Sequence, residues 1–237
     1  MAKNYDYKTP KRRQPIFRIF RAIIKPFFSA KVINNAGDLP DKCIILSNHS
    51  AKRGPMVMET SFPVFCGKWG AYPMLGTYKE RFRYLRDVLC IQKLKRSKFS
   101  ATISSLILAF FSKWIYKGMK IIPSFSDARL RKTIQYSIET LESGAGVMIF
   151  PEDSSDGYFD VLTSLFPGFV MLSQAYYKKH GDDLPVYIAY YHRKSSEIRI
   201  EKPVYVQKLL SQGMTKEQIA EHCKDRINAI YYDNYAK

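Results

Sequence analysis

The sequence lacks any long uninterrupted hydrophobic segment. Its longest unbroken apolar run covers only residues 106–111, whereas a helix needs roughly 18 predominantly apolar residues to cross a bilayer. We therefore expect no membrane-spanning helix.

Cysteine is scarce and scattered. No C-x-x-C pair occurs among the four cysteines, which are Cys43, Cys66, Cys90 and Cys223. The first residues, MAKNYDYKTPKRRQ, contain no apolar core of the kind found in signal peptides. This pattern predicts free thiols in a reducing, cytoplasmic setting.

Acidic residues are also few. The chain has 21 Asp and Glu against 38 Lys and Arg, which gives a formal net charge of +17. Such a charge favours anionic partners, including nucleic acid, acidic lipid surfaces and phosphorylated ligands. Nucleic acid is disfavoured because the basic residues spread along the chain and no recognised binding module is present. We expect an anionic membrane surface as the partner.

Four common catalytic signatures are missing from the sequence. These are G-x-S-x-G, G-x-x-x-x-G-K-[ST], H-E-x-x-H and G-x-G-x-x-G. Their absence disfavours serine hydrolases of the elbow type, P-loop enzymes, zincins and Rossmann dehydrogenases.

The chain nevertheless has enough apolar residues for one folded domain. Hydrophobic residues make up 46% of its 237 residues, with 15 Phe and 17 Tyr among the aromatics, which excludes disorder as the dominant state. No linker-like stretch separates two domains. We expect a basic, flexible leader (residues 1–14) and a single domain (residues 15–237).

Short apolar segments alternate with helical patterns along this domain. Strands are predicted at 43–47, 119–123, 146–150 and 186–191, and helices at 130–141 and 168–180. This alternation predicts an α/β fold with a mostly parallel central sheet flanked by helices. Ser126 or Asp127 is available as the N-cap of helix 130–141. Residues 198–206 indicate an edge hairpin, and Thr215 with Gln218 opens a last helix through a capping box.

Two segments allow two interpretations each. Residues 15–25 predict an N-terminal amphipathic helix with Arg18, Arg21 and Lys25 on one stripe. This helix either lies in a lipid interface or packs its apolar side onto the domain. The stretch 79–118, basic at first and apolar later, forms either a buried helix pair or a hairpin that faces lipid or an acyl chain.

Two polar loops that follow predicted strands carry the candidate chemistry. Asn48 and His49 come after strand 43–47, and the segment 150–152, Phe-Pro-Glu, ends strand 146–150. Open α/β sheets bind their ligands at the carboxyl ends of strands. Both loops are therefore candidates for one site.

The order of these motifs resembles the glycerolipid acyltransferase family, which includes the bacterial 1-acylglycerol-3-phosphate acyltransferases. The resemblance covers nearly the whole chain, because residues 117–123 stand in place of the second family motif and residues 184–188 match the fourth. It implies transfer of a fatty acyl group to a hydroxyl of a lysophospholipid or related glycerolipid at the cytoplasmic face of a membrane. The donor would be acyl-CoA or acyl carrier protein, with no cofactor and no metal.

The resemblance assigns a role to each candidate residue. His49 would be the general base that takes the proton from the acceptor hydroxyl as its oxygen attacks the thioester carbonyl. The ordinary pKa of a histidine, near 6.5, suits this task at neutral pH. Glu152 would organise the pocket by hydrogen bonding. The substrate-binding candidates beside His49 are Asn48, Glu152, Asp153, Ser154 and Ser155.

The first motif departs from the family pattern. The family has an aspartate five residues after the histidine, which orients the imidazole, and this chain has Gly54 there. Glu59 is the nearest downstream carboxylate and our catalytic candidate for this role. Glu152, Asp153 and Asp156 of the second loop are the alternatives.

Two family arginines that grip the acceptor phosphate are also absent. The family's second motif ends in an arginine near Ser126, and this chain has none at that point. Residues 152–155 read Glu-Asp-Ser-Ser where the family has Glu-Gly-Thr-Arg. The candidates to bind the phosphate instead are Lys52, Arg53, Arg129 and Arg131. These departures leave a second hypothesis open, which is a catalytically inactive, lipid-binding relative of the family.

Overall fold

One sheet organises the chain. A computed structural model describes residues 15–50, 53–155 and 157–236, so the expected leader lies outside the described residues. The strands within these ranges are β1 Lys31–Asn34, β2 Ile44–Ser47, β3 Cys66–Ala71, β4 Ile121–Ser124, β5 Gly146–Ile149, β6 Pro185–His192 and β7 Glu197–Tyr205. They lie in the order β1-β7-β6-β2-β5-β3-β4, and β6 with β7 is the only antiparallel pair among them. The predicted mostly parallel α/β domain is confirmed.

Helices flank this sheet. They are α1 Pro15–Ile24, α2 Arg53–Ser61, α3 Tyr78–Arg83, α4 Lys98–Gly118, α5 Leu130–Glu142, α6 Gly168–His180, α7 Val206–Ser211 and α8 Lys216–Asn234. A π-helical segment, Tyr84–Lys93, continues α3. The predicted helices 130–141 and 168–180 are confirmed, and α8 begins with the predicted capping box of Thr215 and Gln218.

The core lies on both faces of the sheet. Along β2, Ile44 and Leu46 point into a cluster shared with α6 and α8, whereas Ile45 joins Val57 and Met58 of α2 on the opposite face. All four residues of β2 and of β5 are buried. This two-sided burial explains why both strands are uninterrupted apolar runs.

The predicted edge hairpin is only partly right. β7 pairs antiparallel with β6, as a hairpin requires, but β1 pairs parallel with β7 and occupies the edge. The edge position assigned to residues 198–206 is therefore wrong. Strand β1 gave no clear signal because it is four residues long and none of them is fully buried.

Helix α1 is joined to the domain through Arg21. Its guanidinium donates to the carbonyl oxygens of Glu59 (2.9 Å) and Thr60 (2.6 Å), which lie in the last turn of α2. Arg21, which the sequence places on one stripe with Arg18, therefore turns towards the domain and supplies donors to the terminal carbonyls of α2. Phe17 is buried while Ile19 is 66% exposed, so α1 packs only part of its apolar side onto the domain, and its contact with lipid stays a prediction.

A buried ionic cluster reinforces this joint. The Glu59 carboxylate accepts a hydrogen bond from the ammonium group of Lys68 in β3, and its second oxygen lies 3.7 Å from Arg21 Nε. The side chain of Glu59 is fully buried and that of Lys68 is nearly so. The cluster therefore ties α1, α2 and β3 together.

Helix α4 buries its small residues and exposes its large apolar ones. Its buried side chains are small and helically spaced: Ala101, Ser105, Ala109 and Ser112. Its exposed large apolar side chains are Phe99, Ile103, Leu106, Ile107, Leu108, Phe110, Phe111 and Trp114, between 43% and 78% exposed. A helix in a water-soluble domain normally shows the opposite arrangement.

The length and composition of α4 also differ from the expectation. Among the described residues, α4 is the one helix that is long and apolar enough to cross a membrane, with 21 residues. The sequence had predicted no such helix. The criterion of an unbroken apolar run missed it because serine, threonine and lysine interrupt the sequence. Its small residues pack against α3 and the π-helical segment, so α4 lies along the surface of the domain.

Replacement of Glu59 by Gln is expected to lower the free energy of unfolding by about 3 kcal/mol or more, because Lys68 would remain buried without its counter-charge. Chemical denaturation followed by circular dichroism measures this change. The matched control is Glu221→Gln, which removes an exposed pair with Lys224 and should cost less than about 1 kcal/mol. Equal losses in the two variants would contradict the structural role of the cluster.

Candidate active site

Two polar loops meet at one edge of the sheet. Strands β2 and β5 are parallel neighbours in which Leu46 pairs with Ile149, so their carboxyl ends lie side by side. His49 follows the first strand and Glu152 the second. The structure therefore brings together the two loops that the sequence singles out.

Asn48 fixes the start of the first loop. Its side-chain NH₂ donates to the carbonyl oxygen of Tyr191 (3.0 Å), and its Oδ1 accepts from the N–H of the same residue (2.7 Å). These two bonds tie the end of β2 to β6. The amide of Asn48 is thus engaged by backbone, and its contact with substrate stays a prediction.

Aromatic rings hold the imidazole of His49. The ring of Tyr158 stacks on it with centroids 4.8 Å apart and an interplanar angle of 21°. The ring of Phe150 meets it edge-on at 5.2 Å. Such contacts restrict the plane of the imidazole.

Gly54 lies where the family places its aspartate, and no side chain fits there. A Cβ atom on this residue would overlap the carbonyl oxygen of His49 and lie 2.8 Å from its carbonyl carbon. Ser50, in the same loop, has a positive φ of 44°. The loop therefore folds back on His49 more tightly than any residue with a side chain at position 54 permits.

Glu152 lies beside the backbone of His49. The residue is only 8% exposed, and burial raises the pKa of its carboxyl group to about 7, against the opposing effects of the His49 amide and the Lys93 charge. An antiparallel bridge to Leu165 fixes its backbone. A carboxyl group that titrates near neutral pH thus lies at the proposed base.

The other polar residues of the second loop divide into two groups. Ser154 is buried and accepts a hydrogen bond from Lys93 Nζ at 2.6 Å. Asp153 and Ser155 form a local turn, in which the N–H of Ser155 donates to Asp153 Oδ1 at 3.0 Å. Only Ser154 faces inward. Asp156 lies outside the described residues.

The proposed orienting residue Glu59 has other partners. Its carboxylate contacts Lys68 and Arg21 in the cluster described above, and it lies in the second half of α2, beyond Gly54. The contacts described for it are with cations and not with the imidazole. Its role in orienting His49 stays a prediction.

Two of the four cations proposed to bind phosphate are engaged elsewhere. Arg53 donates to the carbonyl oxygen of Phe27 (3.0 Å) and to the hydroxyl of Tyr191 (3.3 Å). Arg129 forms a bidentate pair with Asp127. The Oδ1 of Asp127 also accepts the backbone N–H of Arg129 at 2.9 Å, a capping contact just before α5. Lys52 lies outside the described residues.

Two residues of the site were not found from the sequence. Tyr158 follows the Phe-Pro-Glu segment but reaches His49 only because the chain turns back at Gly157, where φ is 127°. Lys93 comes from the π-helical segment, about sixty residues earlier. The basic character of residues 93–98 was visible, but nothing in the spacing links them to the second loop.

Glu152→Gln is expected to change the pH dependence of stability. The folded-state pKa is raised from 4.5 to about 7, so the stability that comes from the protonated carboxyl is full below about pH 4.5 and is lost as pH rises through about 7. Glutamine cannot ionise, so the variant should gain about 2–3 kcal/mol relative to wild type between about pH 4.5 and pH 8.

Denaturant unfolding at several pH values measures this difference. The control is Asp153→Asn in the exposed turn, whose pKa is lowered by hydrogen bonds with Ser155 and which should follow the wild-type profile over this range. Parallel profiles for Glu152→Gln and wild type would show that burial does not control the protonation of Glu152.

Comparisons with known proteins agree with this architecture. No family model matches the sequence, and no curated protein matches it. Among solved structures, the fold is similar to the crystal structure of the 1-acyl-sn-glycerophosphate (LPA) acyltransferase PlsC from Thermotoga maritima, with a TM-score of 0.54 and 11% sequence identity. The match covers 94% of this chain and 80% of that chain. The chain therefore shares the fold of a glycerolipid acyltransferase, as its motif order implies.

Proposed function

We propose that the protein transfers a fatty acyl group from a thioester donor, acyl-CoA or acyl carrier protein, to a hydroxyl of a lysophospholipid or related glycerolipid. The observation that carries this proposal is the contact between the two loops, in which His49 packs on Phe150 and Tyr158 while Glu152 lies at its backbone. The shared fold with PlsC, described as an LPA acyltransferase, supports the same class of reaction.

In the proposed reaction His49 accepts the proton of the acceptor hydroxyl while that oxygen bonds to the thioester carbonyl carbon. The carbon–sulfur bond then breaks, and the leaving thiolate takes the proton from the imidazolium. No acyl-enzyme intermediate is required. Of the carboxylates proposed to stabilise the imidazolium, Glu152 fits better than Glu59, because Glu59 is paired with cations.

His49→Ala is expected to lower the transfer rate by about 100-fold or more, since a general base contributes roughly 10²–10⁴-fold. Mass-spectrometric detection of the new acyl ester measures the rate, with oleoyl-CoA or oleoyl acyl carrier protein as donor and a panel of lysolipids as acceptors. His222→Gln, on α8, is the histidine control and should keep the wild-type rate. Undiminished transfer by His49→Ala would exclude the assigned role.

Gly54 supports the alternative function, a lipid-binding relative without turnover. Its position excludes the aspartate that orients the base in the family, and replacement of the orienting aspartate in a serine protease costs about 10⁴ in rate. This alternative predicts no product with any donor, and lipid binding that His49→Ala leaves unchanged.

We further propose that the protein works as a peripheral protein on the anionic, cytoplasmic face of a membrane. The docking face consists of the exposed apolar residues of α1 and α4, two helices that contact each other. Helix α4 carries Lys98, Lys113 and Lys117 and has no acidic residue. An apolar ridge with only basic charges suits the interface of an anionic bilayer.

Trp114, which is 57% exposed, is expected to show blue-shifted fluorescence when vesicles containing phosphatidylglycerol are added. Binding should weaken as salt rises because screening grows. The double variant Phe110→Ser, Phe111→Ser should bind about tenfold more weakly or worse, since each phenylalanine loses apolar contact. Tyr232→Ser, an equally exposed aromatic on α8, is the control. Equal binding by both variants in co-sedimentation would exclude α4 as the docking face.

A further inference from the structure

Lys93 is a cation that the fold brings into the second loop. It is the last residue of the π-helical segment Tyr84–Lys93, and its Nζ donates to Ser154 Oγ at 2.6 Å. π-Helical turns are uncommon and occur frequently at functional sites. The irregular helix thus brings a positive charge to the second loop.

The ammonium group of Lys93 also lies close to the proposed base. Its Nζ is 5.5 Å from the centroid of the Tyr158 ring, and that same ring stacks on His49 at 4.8 Å. One aromatic ring therefore connects the cation and the imidazole. A ligand group held by Lys93 would therefore be separated from the imidazole of His49 by the ring of Tyr158.

Other basic residues near the site are less suited to hold a ligand. Arg53 is engaged by a backbone carbonyl and a tyrosine hydroxyl, and Arg129 by Asp127 and the rings of Tyr72 and Phe125. These contacts direct both guanidinium groups towards acceptors within the protein, and Arg129 already has the carboxylate of Asp127 as its counter-charge. An ammonium group has three N–H donors, and the hydrogen bond described for Lys93 uses one of them.

The charge balance around Lys93 leaves room for an anion. Among the residues that the structure describes, the carboxylates that oppose the lowering of the Lys93 pKa by burial are Glu152 and Asp153. Glu152 is itself held partly neutral near pH 7, because burial raises its pKa to about 7. Asp153 lies in an exposed turn and is bound by the N–H of Ser155. A half-buried cation whose neighbour Glu152 is partly neutral near pH 7 favours a second negative group.

We propose that Lys93 binds a phosphate group of the substrate inside the active site. This inference rests on the proposed acyl transfer and names its substrate class, a phosphate-bearing lipid or thioester. The phosphate belongs either to the acceptor, as in a lysophosphatidate, or to the coenzyme A part of the donor. A lysine–phosphate contact is a charge-assisted hydrogen bond, and its loss weakens binding by about 10-fold to 100-fold.

Lys93→Met tests the inference, because methionine keeps the aliphatic stem against Tyr158 and removes only the charge. Lys79→Met, at an exposed position of α3, makes the same change of net charge. The acceptors are oleoyl lysophosphatidate and monooleoylglycerol, which lacks phosphate. The donors are oleoyl-CoA and the oleoyl thioester of N-acetylcysteamine, which also lacks phosphate.

The expected result is a rise of about 10-fold to 100-fold in KM for one phosphate-bearing substrate. Its phosphate-free counterpart should show no such rise, and Lys79→Met should show none with either. A rise confined to lysophosphatidate identifies the acceptor phosphate, and one confined to oleoyl-CoA identifies the donor. Lys93→Arg should recover part of the affinity. Equal effects on all four substrates, or no effect, would overturn the inference and leave Lys93 a structural residue.

Equilibrium binding separates this inference from the proposed function. Isothermal titration with lysophosphatidate in mixed micelles and with CoA needs no turnover. If no protein forms product but Lys93→Met loses phosphate-dependent binding, acyl transfer fails and the Lys93 site stands. If wild type forms product but the binding of phosphate does not depend on Lys93, the proposed acyl transfer stands and the Lys93 site is excluded.

Discussion

The parallel pairing of β2 with β5 is the constraint on which the site depends. Each strand delivers one loop, and the two loops meet only because the strands are neighbours that run in the same direction. Both strands are buried on both faces, so a slip in register would exchange the residues of the two core clusters. A slip of one residue would also move His49 by about 3.3 Å relative to Phe150, beyond their present contact. The packing of the core therefore fixes the geometry of the loops.

Much of the fold could be predicted because the central strands are uninterrupted apolar runs and the helices repeat their apolar residues at helical spacing. The missed elements are those where tertiary contacts override the local pattern. Strand β3 contains Lys68, a charged residue that is buried only because Glu59 and α2 pack against it. No local rule places a lysine inside a sheet, since its counter-charge comes from another element. Strand β1 is too short and too exposed to show any apolar pattern.

The site could be predicted from the sequence to a similar extent. The proximity of His49 and Glu152 follows from topology, because both lie after neighbouring parallel strands. The surroundings of the imidazole do not follow, because Tyr158 and Lys93 arrive through a turn and an irregular helix whose course the sequence does not show. The sequence also suggested arginines as phosphate-binding residues without showing the partners that they have in the fold. Arg53 and Arg129 find acceptors close by, and a count of charges cannot reveal that they are already bound.

Gly54 has a consequence for how this chain relates to its structural counterparts. Because the carbonyl group of His49 occupies the space of a side chain at position 54, a single codon change to aspartate would meet a steric barrier before any benefit to the base appeared. The loop would first need a different backbone path, or an added residue, to make room. An acidic side chain at position 54 would therefore require several coordinated changes in one short segment, and no single substitution there can test whether an aspartate would orient the base.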